Sequence, residues 1–401
     1  MTSTYPKLKI DELPDFLKPK VRLFLSADLV GSTAFKQKEI FPISKTSESD
    51  TLGSLRGAWF TEISRFYKKF PIIFHNKWLE TKGLVIEKKS TLDLGEEPSF
   101  WKANGDELLY VKELKTPQDL YLAIAVWRDS LKEYRTDLKE RGINDLDIKA
   151  AAWTAGFPII NSEIILLSNT PLDFNVKFDE HEFKYNDILK YINDPVAGHF
   201  ILQDIWANNE DKRHKFVKDF IGSQIDTGFR VSTLATPRKF TLSLEATYIL
   251  LHALNHHLDG VSNIILKYDG RHPLKGVLKN KEYPIFWVDG MENIDDIAEM
   301  ENKISPNVKT DDATQFFEKF INNNPDILTL PFLFGCQIDG LNSIPNNYED
   351  RVSALNYKWK REKENIIAGI TRSEETDQCD QPEDEKAVED SADKIMDAIR
   401  I

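Results

Sequence analysis

Cysteine is nearly absent, with only Cys336 and Cys379 in 401 residues. That excludes a disulfide framework and a cysteine-rich zinc centre, and it fits a reducing cytoplasm. No hydrophobic run approaches the ~18 residues of a membrane span. The opening MTSTYPKLKIDELPDF has no apolar leader core. A basic stripe is also missing, and the net charge of −13 argues against a nucleic-acid footprint. An anionic ligand would therefore have to be held by local cations or metal. What is present is an ordinary globular composition, 41% hydrophobic and 29% charged, on a chain long enough for two or three cores.

Val21 to Ala27 is an apolar run flanked by polar residues, which predicts a central strand. It runs into Asp28 and then the turn Leu29-Val30-Gly31-Ser32-Thr33. Leu55, Trp59, Ile63, Phe66 and Phe70 recur at helical spacing, and Pro71 is expected to close that helix. Residues 72 to 99 are expected to hold one strand and a loop. In FWKANGDELLYVKEL, residues 100 to 114, two β-type runs flank Asn104-Gly105, a hairpin signal that puts Asp106 at the tip. Thr116-Pro117-Gln118-Asp119 reads as a helix start, and Leu120, Ile124, Trp127 and Leu131 as its buried stripe. DIKAAAWTAG, residues 147 to 156, returns as a strand, and residues 157 to 215 give no clear order. FVKDFIGSQIDTGFRVSTL then passes from a strand through Gly222-Ser223 into a helix, where Asp226 and Arg230 share one face.

This order predicts an α+β fold, a ferredoxin-like antiparallel sheet with helices on one face. In such a sheet the first strand is a neighbour of the hairpin, so Asp28 and Asp106 converge. Two adjacent carboxylates repel unless protonated or bridged by cations, and hard oxygen donors select Mg²⁺ or Mn²⁺. The Gly31-Ser32-Thr33 turn beside them offers backbone N–H groups to phosphate oxygens.

At these residues the chain resembles the class III nucleotidyl cyclases, across roughly residues 18 to 240. ADLVGST is similar to the family's first metal-aspartate segment and NGDELLY to the second, which implies two Mn²⁺ or Mg²⁺ ions at Asp28, Leu29 and Asp106. Lys102 falls where the family keeps a base-contacting lysine. DFIGSQIDTGFR resembles its base-contacting acid and transition-state helix, implying base recognition by Asp219 and transition-state contacts from Asp226 and Arg230. AAWTAGF, around Gly156, resembles the strand between those segments. The family has Asn where Asp226 stands, and the chain between Asp28 and Asp106 is longer than usual.

The resemblance implies attack of the ribose 3′-hydroxyl on the α-phosphorus of a nucleoside triphosphate, with pyrophosphate leaving and Arg230 neutralising charge. It also implies a homodimer with shared active sites, and no nucleic-acid or membrane partner. ADLVGSTAFK further resembles the pyrimidine cyclases of bacterial Pycsar antiphage systems, whose product switches on a separate effector. UTP is the favoured substrate on that ground; CTP, ATP and an inactive nucleotide-binding module remain alternatives. The expected domains are a catalytic domain over 1–240, a sensor domain over 241–370 starting with a helix at Thr241, and a mobile acidic tail over 371–401 with a short helix at 392–399. His252 and His256 share a helix face without a third ligand, and Lys358-Trp359-Lys360-Arg361 reads as a solvated helix face.

Overall fold

A computed structural model describes residues 9–38, 58–87, 95–168, 173–254, 261–291, 295–305, 307–345 and 347–379. By proximity in space the chain divides into two units. One comprises Met1–Leu17, Ile164–Asp219 and Glu349–Ile401, and the other Lys18–Glu163 and Phe220–Tyr348.

The second unit is built on strand β1, Lys20–Val30, which strictly alternates over its first part. Leu23, Leu25, Ala27 and Leu29 enter one core, while Phe24 enters another on the opposite face. After β1 come a short helix α1, Ser32–Lys38, and a long helix α2, Ala58–Glu87. The hairpin β2, Ser99–Asn104, and β3, Glu107–Leu114, leads into α3, Pro117–Glu140, and then β4, Asp147–Phe157. The four strands lie in the order β4-β1-β3-β2, all antiparallel. That order, with helices crossing between β1 and β2 and between β3 and β4, is the ferredoxin-like α+β arrangement expected.

Helix α3 opens as its sequence predicts. The Thr116 side chain accepts from Asp119 N–H, and the Asp119 carboxylate accepts from Thr116 N–H at 3.0 Å. Replacing Thr116 with Ala is expected to cost about 1 kcal/mol, measured by denaturant unfolding with unchanged secondary structure.

Pro71 does not end its helix. It lies inside α2, which runs on to Glu87 where a strand was expected. An interior proline loses one backbone hydrogen bond and costs about 3 kcal/mol. The apolar stripe continues across it: Phe66, Phe70, Phe74 and Trp78 are all buried. Phe70 and Phe74 set their rings against Trp127 of α3 at 5.0 and 4.8 Å. Burial of several large aromatics outweighs the local defect. Leu55 lies outside the described residues.

Residues 157 to 215, unordered by sequence, hold β5, Asn161–Leu167, the hairpin β6, Asn175–Phe178, and β7, His181–Lys184, and the helices α4, Tyr185–Lys190, and α5, Pro195–Asn208. Strand β8, Phe216–Gly222, pairs with β5 and hands over at Gly222 to α6, Ser223–Ser232.

Thr241 lies in a strand, β9, Lys239–Leu242, and helix α7 starts only at Leu244. Strands β10, Leu266–Pro273, and β11, Glu282–Asp289, complete a seven-stranded sheet in the order β10-β11-β9-β4-β1-β3-β2. The cause is a parallel pairing of Ala151 and Ala152 with Thr241 and Leu242, a long-range register that local helix propensity does not report. Residue 240, the expected domain boundary, falls inside this sheet. Beyond it come α8, Asp296–Ile304, α9, Thr310–Asn322, and α10, Tyr348–Cys379. Helix α10 passes through residue 371, and the expected helix at 392–399 lies outside the described residues.

Within the first unit, the Glu362 carboxylate of α10 is buried and accepts from the backbone N–H of Asp194 at 3.0 Å. Trp359 packs on Phe16 at 5.3 Å, and Lys358 pairs with Asp194 at 3.4 Å. The Lys-Trp-Lys-Arg run therefore has its tryptophan inside.

Candidate active site

The site lies where β1 ends, β4 begins and β2 turns into β3. Asp28 is paired across β1-β3 with Glu107 and across β1-β4 with Lys149. Strand geometry sends these three side chains to the same face of the sheet, the one carrying Phe24 and Trp153. Lys102 is paired with Leu109, two residues along β3 from Glu107, so it shares that face. Its ammonium sits 4.1 Å from the Trp101 ring centre.

The loop residues of the hairpin are Gly105 and Asp106, because Asn104 is already paired with Glu107. The tip is held from three sides. Leu29 N–H donates to the Asp106 carbonyl at 3.2 Å, Ser32 Oγ donates to the Asp106 carboxylate, and Tyr67 of α2 donates its hydroxyl to the Gly105 carbonyl. Asp28 and Asp106, 78 residues apart by subtraction of their numbers, thus meet. Gly31 makes the chain reversal between β1 and α1 possible. Its φ is +86°, and a Cβ there would stand 2.3 Å from the Asp145 carbonyl oxygen.

Burial pushes the Asp28 carboxyl above its ordinary pKa, and the charge of Asp106 adds to the rise, while the Lys149 ammonium 3.1 Å from Asp28 Oδ2 opposes it. Glu107 is likewise raised, by burial first and by Asp28 second. Both groups therefore keep their protons to higher pH than a solvated carboxyl. A raised carboxyl favours the folded state at low pH, and this contribution fades as pH rises through the raised value. Cation binding has the opposite slope, because the proton must leave first. Mn²⁺ affinity is expected to climb with pH until the raised Asp28 carboxyl has lost its proton, and then to level off. Asp106→Asn should shift the levelling-off of Asp28 to lower pH, as read by titration calorimetry across pH.

The donor set fits a hard divalent cation. Two carboxylates, with Glu107 beside them, converge on a site where an ammonium ion already serves as counter-charge. Asp28 and Asp106 would hold such a metal, with Leu29 next to Asp28; Leu29 and Val30, expected in the turn, still belong to β1, paired with Ile148 and Asp147 of β4. Among the described residues no group of three His, Cys, Asp or Glu side chains forms a ready-made metal cluster. His252 is included in that statement, and His256 lies outside the described residues.

Asp226 and Arg230 project from α6, both exposed. Among the described residues they form no ion pair with each other, and no hydrogen bond or ion pair joins either to Asp28 or Asp106. Helix α6 is anchored elsewhere on the sheet: Gly228 abuts Trp153 and the Phe229 ring lies 5.3 Å from Trp153. Trp153 is paired with Phe24, four residues from Asp28 along β1, which is roughly 13 Å at strand rise. Asp219 stands on β8, at the end of the first unit's Ile164–Asp219 segment.

Glu107 and Lys149 were not singled out by sequence. Glu107 adjoins Asp106 in NGDELL, and Lys149 is the one cation in DIKAAAWTAG, a charge at the start of an otherwise small and apolar strand.

No family model matches the chain. No curated protein matches it in sequence. Among solved structures it is similar to the adenylyl cyclase CyaB from P. aeruginosa, with 12% identity and a TM-score of 0.34 over 69% of this chain and 96% of that one. It is also similar to the guanylate cyclase domain of RhGC from Catenaria anguillulae, in complex with GTP, with 12% identity and a TM-score of 0.32 over 68% and 97% of the two chains. An adenylate/guanylate cyclase/hydrolase from Silicibacter pomeroyi gives 9% identity and a TM-score of 0.31 over 67% and 96%. At such distances the functional reading rests on the chain's own site.

Proposed function

We propose that the protein is a nucleotidyl cyclase that converts a pyrimidine nucleoside triphosphate, UTP in first place, to the cyclic monophosphate and pyrophosphate. The carrying observation is the meeting of Asp28 and Asp106 beside the Gly31-Ser32 turn, at one end of a ferredoxin-like sheet. Asp28 and Asp106 would hold divalent metal, which would supply Lewis acidity for the displacement. Gly31, Ser32 and Thr33 seat the triphosphate. Arg230 neutralises the charge that builds on the α-phosphate, with Asp226 beside it, an electrostatic role worth several kcal/mol. Lys102 donates to a base acceptor and Asp219 accepts from a base N–H.

The packing of helix α6 on Trp153, four residues along the sheet from the level of Asp28, favours a homodimer in which each site draws on both copies. The pyrimidine assignment, the antiphage role in the cytoplasm and the separate cyclic-nucleotide effector follow from the resemblance of ADLVGSTAFK to the Pycsar cyclases. No helix among the described residues is long and apolar enough to cross a membrane. A second reading, a cyclase fold that binds nucleotide without turnover, is motivated by Asp226, an acid where the family has Asn.

Incubation with each of the four nucleoside triphosphates and Mn²⁺, followed by mass spectrometry, decides between them. Cyclic UMP is the expected product. Cyclic AMP alone would overturn the pyrimidine assignment, and no product from any of the four would favour the binding module.

A further inference from the structure

Asp28 is not waiting with a bare carboxylate. Its Oδ2 is 3.1 Å from Lys149 Nζ, with the two side chains 27% and 26% exposed. Two acids face this ammonium, Asp28 directly and Glu107, opposite Asp28 on β3, while Asp106 on the hairpin tip adds its charge to Asp28. Lys36 of α1 also faces Asp28. Asp147, two residues before Lys149, pairs with Arg135 at 2.6 Å. The backbone of Lys149 is fixed in β4, in register with Asp28, while its four-carbon stem lets the ammonium swing.

Resting on the cyclase reading, we propose that Lys149 is a tethered counter-cation that holds Asp28 Oδ2 in the metal-free protein and must release it when a divalent ion binds. Acids gathered in a half-buried corner repel unless a positive charge is supplied, and Lys149 supplies it from within the fold. The same oxygen cannot direct its lone pairs to an ammonium and a metal ion equally well, so the two cations compete. Lys149 is thus a positioning residue: it keeps the carboxylates in place and raises the ion concentration at which the site fills. A partly exposed ion pair accounts for a few-fold of this competition, and repulsion between the retained ammonium and a divalent ion brings the total to roughly tenfold.

The probe is Mn²⁺, titrated into wild type, Lys149→Met and Lys149→Arg without nucleotide and with a non-cyclisable nucleoside triphosphate, with free ion read by electron paramagnetic resonance. Lys149→Met is expected to bind Mn²⁺ roughly tenfold more tightly than wild type, and Lys149→Arg no more tightly. Without metal, the Met variant is expected to melt at lower temperature, and added Mn²⁺ should raise its midpoint more than that of wild type. Should the Met variant fail to fold, Lys149→Gln carries the same expectations. Equal or weaker Mn²⁺ binding in the neutral variant overturns the proposal while leaving the cyclase reading intact. Absence of Mn²⁺ binding from every form, even with the triphosphate present, overturns the cyclase reading and the proposal with it.

Discussion

Two inactive variants are expected to restore activity to one another. Arg230→Ala and Asp28→Ala should each lose cyclisation by at least about a thousandfold, because in the proposed mechanism each removes a group that stabilises charge in the transition state. Mixed in equal amounts and allowed to exchange subunits, they should recover about a quarter of the wild-type rate, since half of the dimers carry one intact site. The structure supplies the reason to expect this. Arg230 is exposed on a helix anchored over Trp153, and Trp153 is in register with Phe24 rather than with Asp28. A single chain therefore places the Asp28 end and the arginine helix at different stations along the same face of the sheet. A rate in the mixture no higher than in either variant alone would reject shared sites. Circular dichroism of each variant guards against a trivial loss of fold, most relevantly for Asp28, whose removal leaves Lys149 without its partner.

Much of the sheet, and the placing of Asp28 beside the hairpin tip, was legible in the sequence because the signals are local. A Thr-Pro start with Asp three residues after the threonine specifies a capping box by itself, and Asn-Gly between β-type runs specifies a hairpin. The actual loop is Gly105-Asp106, one residue on, because Asn104 pairs with Glu107. Asp28 and Asp106 were found from the strand and turn that bear them. Long-range features were harder to read. Pro71 is a local stop, overruled by the aromatic packing of Phe70 and Phe74 on Trp127, 50 or more residues away in sequence. Residue 240 looks like a linker because Pro237-Arg238-Lys239 is polar, yet Arg135 reaches across to accept no isolation there: it donates to the carbonyls of Pro237 and Gly290 and pins both to α3. Lys149 and Glu107 carry no motif of their own, and their relation to Asp28 exists only in the strand register.

Gly228→Ala is expected to damage catalysis more than its single methyl group suggests. A Cβ at this position would stand 2.2 Å from Cγ of Trp153, well inside any tolerable contact. The indole cannot yield: it is fully buried, and it stacks on Phe24 with ring centres 5.6 Å apart and planes 9° from parallel. Helix α6 must lift instead, at a cost of about 1–3 kcal/mol in stability. Arg230 lies two residues further along the same helix and is carried with it. A displacement of about 1 Å in a charge-stabilising group costs on the order of a hundredfold in rate. The expected result is a kcat reduced about a hundredfold with a much smaller change in KM, because the arginine acts on charge that develops only in the transition state. Thr227→Ala, which removes only a hydroxyl bonded back to the Ser223 carbonyl at 2.8 Å, should leave kcat within a few-fold of wild type. If Gly228→Ala lowers the unfolding temperature and leaves kcat intact, helix α6 does not deliver the group that meets the reacting phosphate.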